Sequence, residues 1–286
     1  MENHLSHRSK VAATPLAGVF VTLMESARSF PRHWHSTYGL GLIDRGAQRS
    51  SSGRGSVEAF AGQCMTHNPG EVHDGAPIGD TARCWRMFHI EPTAMARLQG
   101  VALPSNVEWH APVMDDEALR STLCLAFAAS ESAGTAVRKS SSTSQGMLEE
   151  ALILAIGRAS ELTRTPQPRQ PDEANLSLVI ERLADDVAHA PTLDELAALS
   201  GTSRYTLVRQ FGRSHGLPPM AWLMQLRLQR ARDRIAAGWT LADTALSCGF
   251  SDQSHLTRLF TRQFGHTPGA WRKATEPHGS GRARTF

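Results

Sequence analysis

Two sets of residues in this 286-residue chain have types and spacings that could do chemistry. The first is His33-Trp-His35 together with Pro69-Gly-Glu-Val-His73. Three imidazoles could hold Zn or Fe with one position left open, or could line a pocket as hydrogen-bonding groups. The second set lies near the C-terminus: Ser203, Arg204, Tyr205, Val208 and Arg209, then Gln253, Ser254, His255, Arg258 and Arg262. Arginine can pair bidentately with guanine and glutamine with adenine, while arginine or serine can also grip phosphate.

The elements that must carry the second set can be read from an internal repeat. Leu193, Ala197 and Gly201 recur 48 residues later as Leu241, Ala245 and Gly249. After one extra residue, Leu207, Arg209, Phe211, Arg213, Gly216 and Pro219 recur as Leu256, Arg258, Phe260, Arg262, Gly265 and Pro268. An alanine followed four residues later by glycine suits two helices crossing at a tight turn, because alanine permits close approach and glycine accepts positive φ. Each copy therefore predicts a helix-turn-helix. Thr192 or Pro191 and then Thr240 open the first helices, Ser203 and then Ser251 or Asp252 cap the second ones, and Gly216 and Gly265 end them. Leu207 and Phe211, like Leu256 and Phe260, are four apart and so face the core, which turns the polar sets outward. Between the copies, Met220 to Ile235 reads as one helix that would hold two reading heads about one DNA turn (~34 Å) apart. Its Arg227, Arg230, Arg232 and Arg234 are expected on the solvent-facing sides.

Gly249-Phe250-Ser251 through Leu256-Thr-Arg-Leu-Phe260, then Phe264-Gly-His-Thr-Pro268 and Trp271-Arg272, resembles the signature of AraC-type (AraC/XylS) regulators over about residues 175–273. The resemblance implies a sequence-specific transcription regulator, in most such proteins an activator, with Tyr205, Val208 and Arg209 and then Ser254, His255 and Arg258 reading bases. Val208 departs from the polar residue common at that place, so the first unit is expected to read fewer bases. Double-stranded DNA and RNA polymerase are the implied macromolecular partners.

Before residue 163, short β-type runs at 19–23, 38–43, 56–60 and 84–90 alternate with Gly- and Pro-containing turns, the pattern of a small antiparallel barrel or jelly roll. Two amphipathic helices follow, at about 115–130 and 144–162. They are read as packing on their own domain, with a homodimer interface as the second reading. The fold class is thus α+β in two domains: an antiparallel cupin- or jelly-roll-like β-barrel with trailing helices, and an all-α domain with two helix-turn-helix units. The expected boundaries are 1–162 for effector binding and dimerisation, 163–173 for a proline-rich linker, 174–273 for DNA binding and 274–286 for a flexible tail. The histidine motifs resemble those of the cupin barrel, but Ser36, Thr37, Tyr38 and Gly39 occupy the stretch where metal-dependent cupins place a glutamate. The resemblance to AraC-type regulators implies that such a barrel senses a small molecule, so His33, His35, Tyr38, His73 and Trp85 are assigned to an effector pocket, with no resident metal and no cofactor expected.

Composition agrees. Residues 1–161 hold 14 Lys/Arg against 16 Asp/Glu, and residues 174–273 hold 12 against 8, so the basic excess lies in the part expected to bind DNA. Cys64, Cys84, Cys124 and Cys248 show no metal-site or disulfide spacing, and neither a signal peptide nor a membrane span is evident, so a cytoplasmic, nucleoid-associated protein is expected. A metal-dependent cupin enzyme with an accessory helical domain is the alternative from another class.

Overall fold

The computed structural model describes residues 7–52, 55–79, 81–100, 107–135, 142–163 and 174–276. The linker residues 164–173 and the tail residues 277–286 lie outside the described residues. The described residues of the N-terminal part form the strands β1 (His7–Ala13), β2 (Val19–Ser26), β3 (Phe30–His33), β4 (Tyr38–Arg45), β5 (Ala47–Ser52), β6 (Gly55–Phe60), β7 (Cys64–His67), β8 (His73–Pro77), β9 (Arg83–Ile90) and, after one helix, β10 (Val113–Met114). They form two antiparallel sheets, ordered β1-β2-β9-β4-β7-β10 and β3-β8-β5-β6. Among the described residues no ladder joins the sheets, so the expected barrel is corrected to an open jelly-roll-like sandwich, the chain crossing between sheets at the β2–β3, β3–β4, β4–β5, β6–β7, β7–β8 and β8–β9 connections.

Strand alternation sorts the large sheet into two faces. Val19 and Val21 of β2, Leu40 and Leu42 of β4, and Phe88 and Ile90 of β9 pack beneath α1 (Pro92–Gln99), α2 (Glu117–Thr135) and α3 (Ser142–Leu162). The helices contribute Leu119, Leu123, Phe127, Leu148, Leu152 and Ile156, all essentially inaccessible, so α2 and α3 do pack on their own domain. Each such side chain contributes about 1.5–3 kcal/mol. Phe20, Thr22 and Met24 of β2 and Trp85, Met87 and His89 of β9 point the other way, between the sheets.

The C-terminal part holds α4 (Ala174–Asp185), α5 (Leu193–Ser200), α6 (Arg204–His215), α7 (Pro219–Ala236), α8 (Leu241–Ser247), α9 (Gln253–Phe264) and α10 (Pro268–Thr275). α10 runs two residues into the stretch expected to be a flexible tail. Thr192, Ser203, Thr240 and Asp252 cap α5, α6, α8 and α9, each accepting a hydrogen bond from the backbone three residues on. Leu207 and Phe211 centre one small core and Leu256 and Phe260 another. α7 enters both, giving Leu223 to the first and Leu228, Ala231 and Ile235 to the second, which makes it the rod expected from the sequence.

Arg232 corrects one expectation. It is buried, 4% exposed, and not on a solvent-facing side of α7. Arg227 is also engaged, donating to the carbonyls of Val187 and Ala188.

Candidate functional site

On α6, Arg204, Tyr205 and Arg209 are exposed and Val208 is half-buried; on α9, Gln253, Ser254, Arg258 and Arg262 are exposed and His255 is half-buried. Tyr205 is 75% exposed, and the Arg209 guanidinium lies over its ring, 5.8 Å from the ring centre. Not every member is equally free. Ser203 Oγ accepts from Thr206 N, Arg204 pairs with Asp194 across the α5–α6 turn, and one His255 ring nitrogen is 3.0 Å from Ser251 Oγ. Arg258 and Arg262 face a groove whose far wall is His7, Arg28, Ser29 and Phe30 of the β domain.

The β domain holds both reading helices by their C-terminal caps. His7 Nε2 and Ser9 Oγ each lie 2.7 Å from the Gly265 carbonyl, and Arg32 donates to the Gly216 carbonyl at 3.1 Å. Both glycines have positive φ, 73° and 72°. A Cβ on Gly216 would come within 2.9 Å of Val72 Cβ, so glycine here serves the docking as well as the cap. Between these points α7 is tied in: Gln229 Nε2 donates to the Trp34 carbonyl, Ser36 Oγ donates to Gln229 Oε1, and Arg232 Nη2 donates to Ser36 Oγ.

Under this junction lies a cavity of about 130 Å³ between the sheets. His33, His35, His73 and Trp85 line it, together with His67 and His89, which sequence reasoning missed. His33 ends β3 directly opposite His73 at the start of β8, and His35 lies just past β3, not on a strand. The His33 and His73 rings are 4.6 Å apart, and His35 is 4.9 Å from each of His33 and His67. His33 Nδ1 donates to the Pro31 carbonyl and His73 Nδ1 to the Glu71 carbonyl, which leaves each Nε2 with a lone pair. One ring nitrogen from each of His33, His35 and His73 lies within 4.8 Å of the others. That arrangement can accept hydrogen bonds from a ligand or coordinate a divalent ion.

Burial sets the charge state. It pushes His33 and His89 down to about 3 and His266 to about 4, holds His35 and His67 well below the usual imidazole range and lowers His73. The cluster is neutral at physiological pH. Arg83 lines the cavity too, but its guanidinium is spent on the carbonyls of Ser26, Arg28 and Gly75 and on Gln48 Oε1.

Tyr38 is not among the residues lining the cavity. It shares the parity of Leu40 and Leu42, joins the core under the helices, stacks edge-on against Trp109 and donates to the Val107 carbonyl at 3.0 Å. Tyr38→Phe is therefore expected to lose about 1 kcal/mol of stability, read by urea unfolding, with effector response intact. An altered response in that variant would put Tyr38 back at the site.

The four cysteines are free, Cys64 and Cys248 buried and Cys124 exposed. No helix among the described residues is long and apolar enough to cross a membrane.

Two family models match the chain: an AraC-like ligand-binding domain over residues 19–157 and a helix-turn-helix domain over residues 196–274. The chain is 29% identical over 235 residues to the uncharacterized HTH-type transcriptional regulator YbfI of Bacillus subtilis, covering 80% of this chain and 82% of that one. It is 25% identical over 253 residues to the HTH-type transcriptional activator RhaS of Klebsiella pneumoniae, covering 84% and 86%. Among solved structures, apo ToxT K231A from Vibrio cholerae superposes with a TM-score of 0.53 over 96% of this chain and all of that one, at 11% identity, a likeness of fold. These matches are to regulators rather than enzymes. The chain belongs to the AraC-type transcription regulators, with a ligand-binding β domain joined to a DNA-binding domain of two helix-turn-helix units.

Proposed function

We propose that the protein is a transcription activator in which a small effector, bound in the histidine cavity, sets how the β domain grips the two reading helices. The observation that carries this reading is the pair of cap contacts: the β domain touches the ends of α6 and α9 and the middle of α7, and the cavity lies beneath those contacts. A ligand that binds one docked arrangement better than another shifts the population toward it, by no more than its differential affinity. His33, His35, His73 and Trp85 are the effector-facing residues in this account. Ser203, Arg204, Tyr205, Val208 and Arg209 contact one major groove, and Gln253, Ser254, His255, Arg258 and Arg262 the next.

Activation, as in the transcriptional activator RhaS, implies contact with RNA polymerase. A cytoplasmic, nucleoid-associated protein follows from the same reading, with 1–162 as the sensing unit and 174–273 as the DNA-binding unit. Met147 and Leu154 are exposed and seven residues apart on α3, one stripe of that helix, and we assign homodimerisation to this stripe. Leu154→Glu should then convert dimer to monomer in sedimentation velocity; an unchanged profile removes α3 from the interface.

The cavity is tested with His73→Ala. Operator affinity in gel shift should match wild type, whereas induction of a reporter fused to a promoter found by genome-wide footprinting should be lost. A variant that induces like wild type would overturn the cavity as the effector site.

A further inference from the structure

The roof of the cavity comes from the DNA-binding half. Arg232 of α7, Gln263 and Phe264 of α9, and His266 all line it. Arg232, Gln263 and His266 are 4%, 6% and 5% exposed, and each keeps a buried nitrogen with no hydrogen-bond partner: Arg232 Nε, Gln263 Nε2 and His266 Nδ1. Leaving such groups unpaired away from water is costly, which makes three at one opening a pointer to something that pairs them.

Arg232 says what that something is. Its guanidinium cannot be neutralised by losing a proton at physiological pH. It lies 5.5–5.6 Å from the ring centres of Phe20, Phe264 and Trp271, donates to Ser36 Oγ and forms no ion pair among the described residues. Asp233 and Glu91 act on it through space without bonding it, so its unpaired Nε is still best met by a directly bound anion, and a planar fork suits a carboxylate. The carboxylates on the cavity wall are engaged elsewhere: Glu71 accepts from Asn68 N and Nδ2, and Asp74 from Ser51 N. The other buried arginine of the lining, Arg83, is saturated by carbonyls. Phe20, Met24, Trp85, Met87 and Phe264 give the cavity apolar walls. Its roughly 130 Å³ is close to the ~150 Å³ engineered cavity that takes one benzene.

We propose that the effector is a compact organic carboxylate with an apolar body of about one ring, whose charged group is held by Arg232 and Gln263. The DNA-binding half thus supplies the anion subsite and the β domain, with Phe264, the apolar one, so the acid bridges the halves and binds only when they are docked. This rests on reading the cavity as the effector site and adds the ligand's class and the residues that select it.

The test uses the full chain with benzoate, phenylacetate and trimethylacetate, each beside its primary amide, by calorimetric titration at fixed ionic strength. At least one acid should bind about tenfold or more tighter than its amide, as a charge-assisted bidentate pair predicts. Arg232→Met should abolish that preference, Arg232→Lys should retain part of it, and Gln263→Met should weaken it. Should Arg232→Met fail to fold, judged by lost operator binding, Arg232→Lys and Gln263→Met decide by the same criterion. Equal binding of every acid and its amide, binding of none of them, or an acid preference that survives in Arg232→Met would each overturn the anion subsite. If acids and amides bind alike while His73→Ala abolishes induction, the cavity stays the effector site and the carboxylate assignment alone falls. If nothing binds and His73→Ala induces normally, both fall together.

Discussion

Lowering the pH from 7 to 5.5 is expected to cost the folded protein about 4 kcal/mol through three histidines alone. His33 and His89 are held at about 3 and His266 at about 4, in each case chiefly by burial, with Arg232 adding repulsion at His89 and His266. In the unfolded chain the same rings take up protons near pH 6.5. Below that value the unfolded state binds more protons than the native one, so stability falls with falling pH. The contribution is complete above about 6.5 and is lost progressively toward 4 and 3. At pH 5.5 each ring lies one unit below its unfolded value, about 1.4 kcal/mol apiece. Against a total of roughly 5–15 kcal/mol this is a large fraction. Urea midpoints by near-ultraviolet circular dichroism at pH 7 and 5.5 would measure it, and His89→Gln should flatten the slope by about a third. A midpoint that does not move between those pH values would show that the rings are hydrated and that the cavity is more open than its burial indicates.

The two halves of the molecule were unequally legible in the sequence. The reading units are local structures: caps, turn glycines and core leucines lie close together in the chain, so spacing located α5, α6, α8 and α9, with the caps of α5 and α9 each left between two residues. The cavity is assembled from β2, β3, β5, β6, β7, β8, β9, β10, α7 and α9, and no short-range pattern joins His67, His89, Gln263 and His266. Tyr38 shows the limit of alternation. β4 is buried on both faces, so its period of two could not say which face held the cavity and which held the helices. Arg232 did leave a signal. It falls four residues after Leu228 and three before Ile235, on the apolar stripe of α7, and a charge on that stripe marks a helix that docks against something beyond its own domain. The barrel expectation failed because turn-punctuated alternating strands specify two apolar faces without specifying whether the sheet edges meet.

The DNA-facing chemistry makes its largest single claim at Arg258. Like Arg262 it is exposed on α9 and carries the fork geometry that reads guanine, and no ion pair to a carboxylate holds it among the described residues, whereas Arg204 must first leave Asp194. Arg258→Ala is expected to weaken operator binding by about 1–3 kcal/mol and to relax base preference at one position. The side chain is exposed and the N-cap of α9 is Asp252, so the substitution leaves the helix and its core intact. A phosphate contact would give a different signature: affinity would fall uniformly across sequences and the salt slope would drop by about one. Measuring both the operator and a scrambled duplex across salt concentrations therefore separates base reading from backbone gripping. The first unit should respond more weakly to Arg204→Ala, since part of that side chain's interaction is already spent within the protein. Operator affinity in Arg258→Ala equal to wild type would remove α9 as a reading helix, and with it the reason for α7 to hold two such helices at a fixed separation.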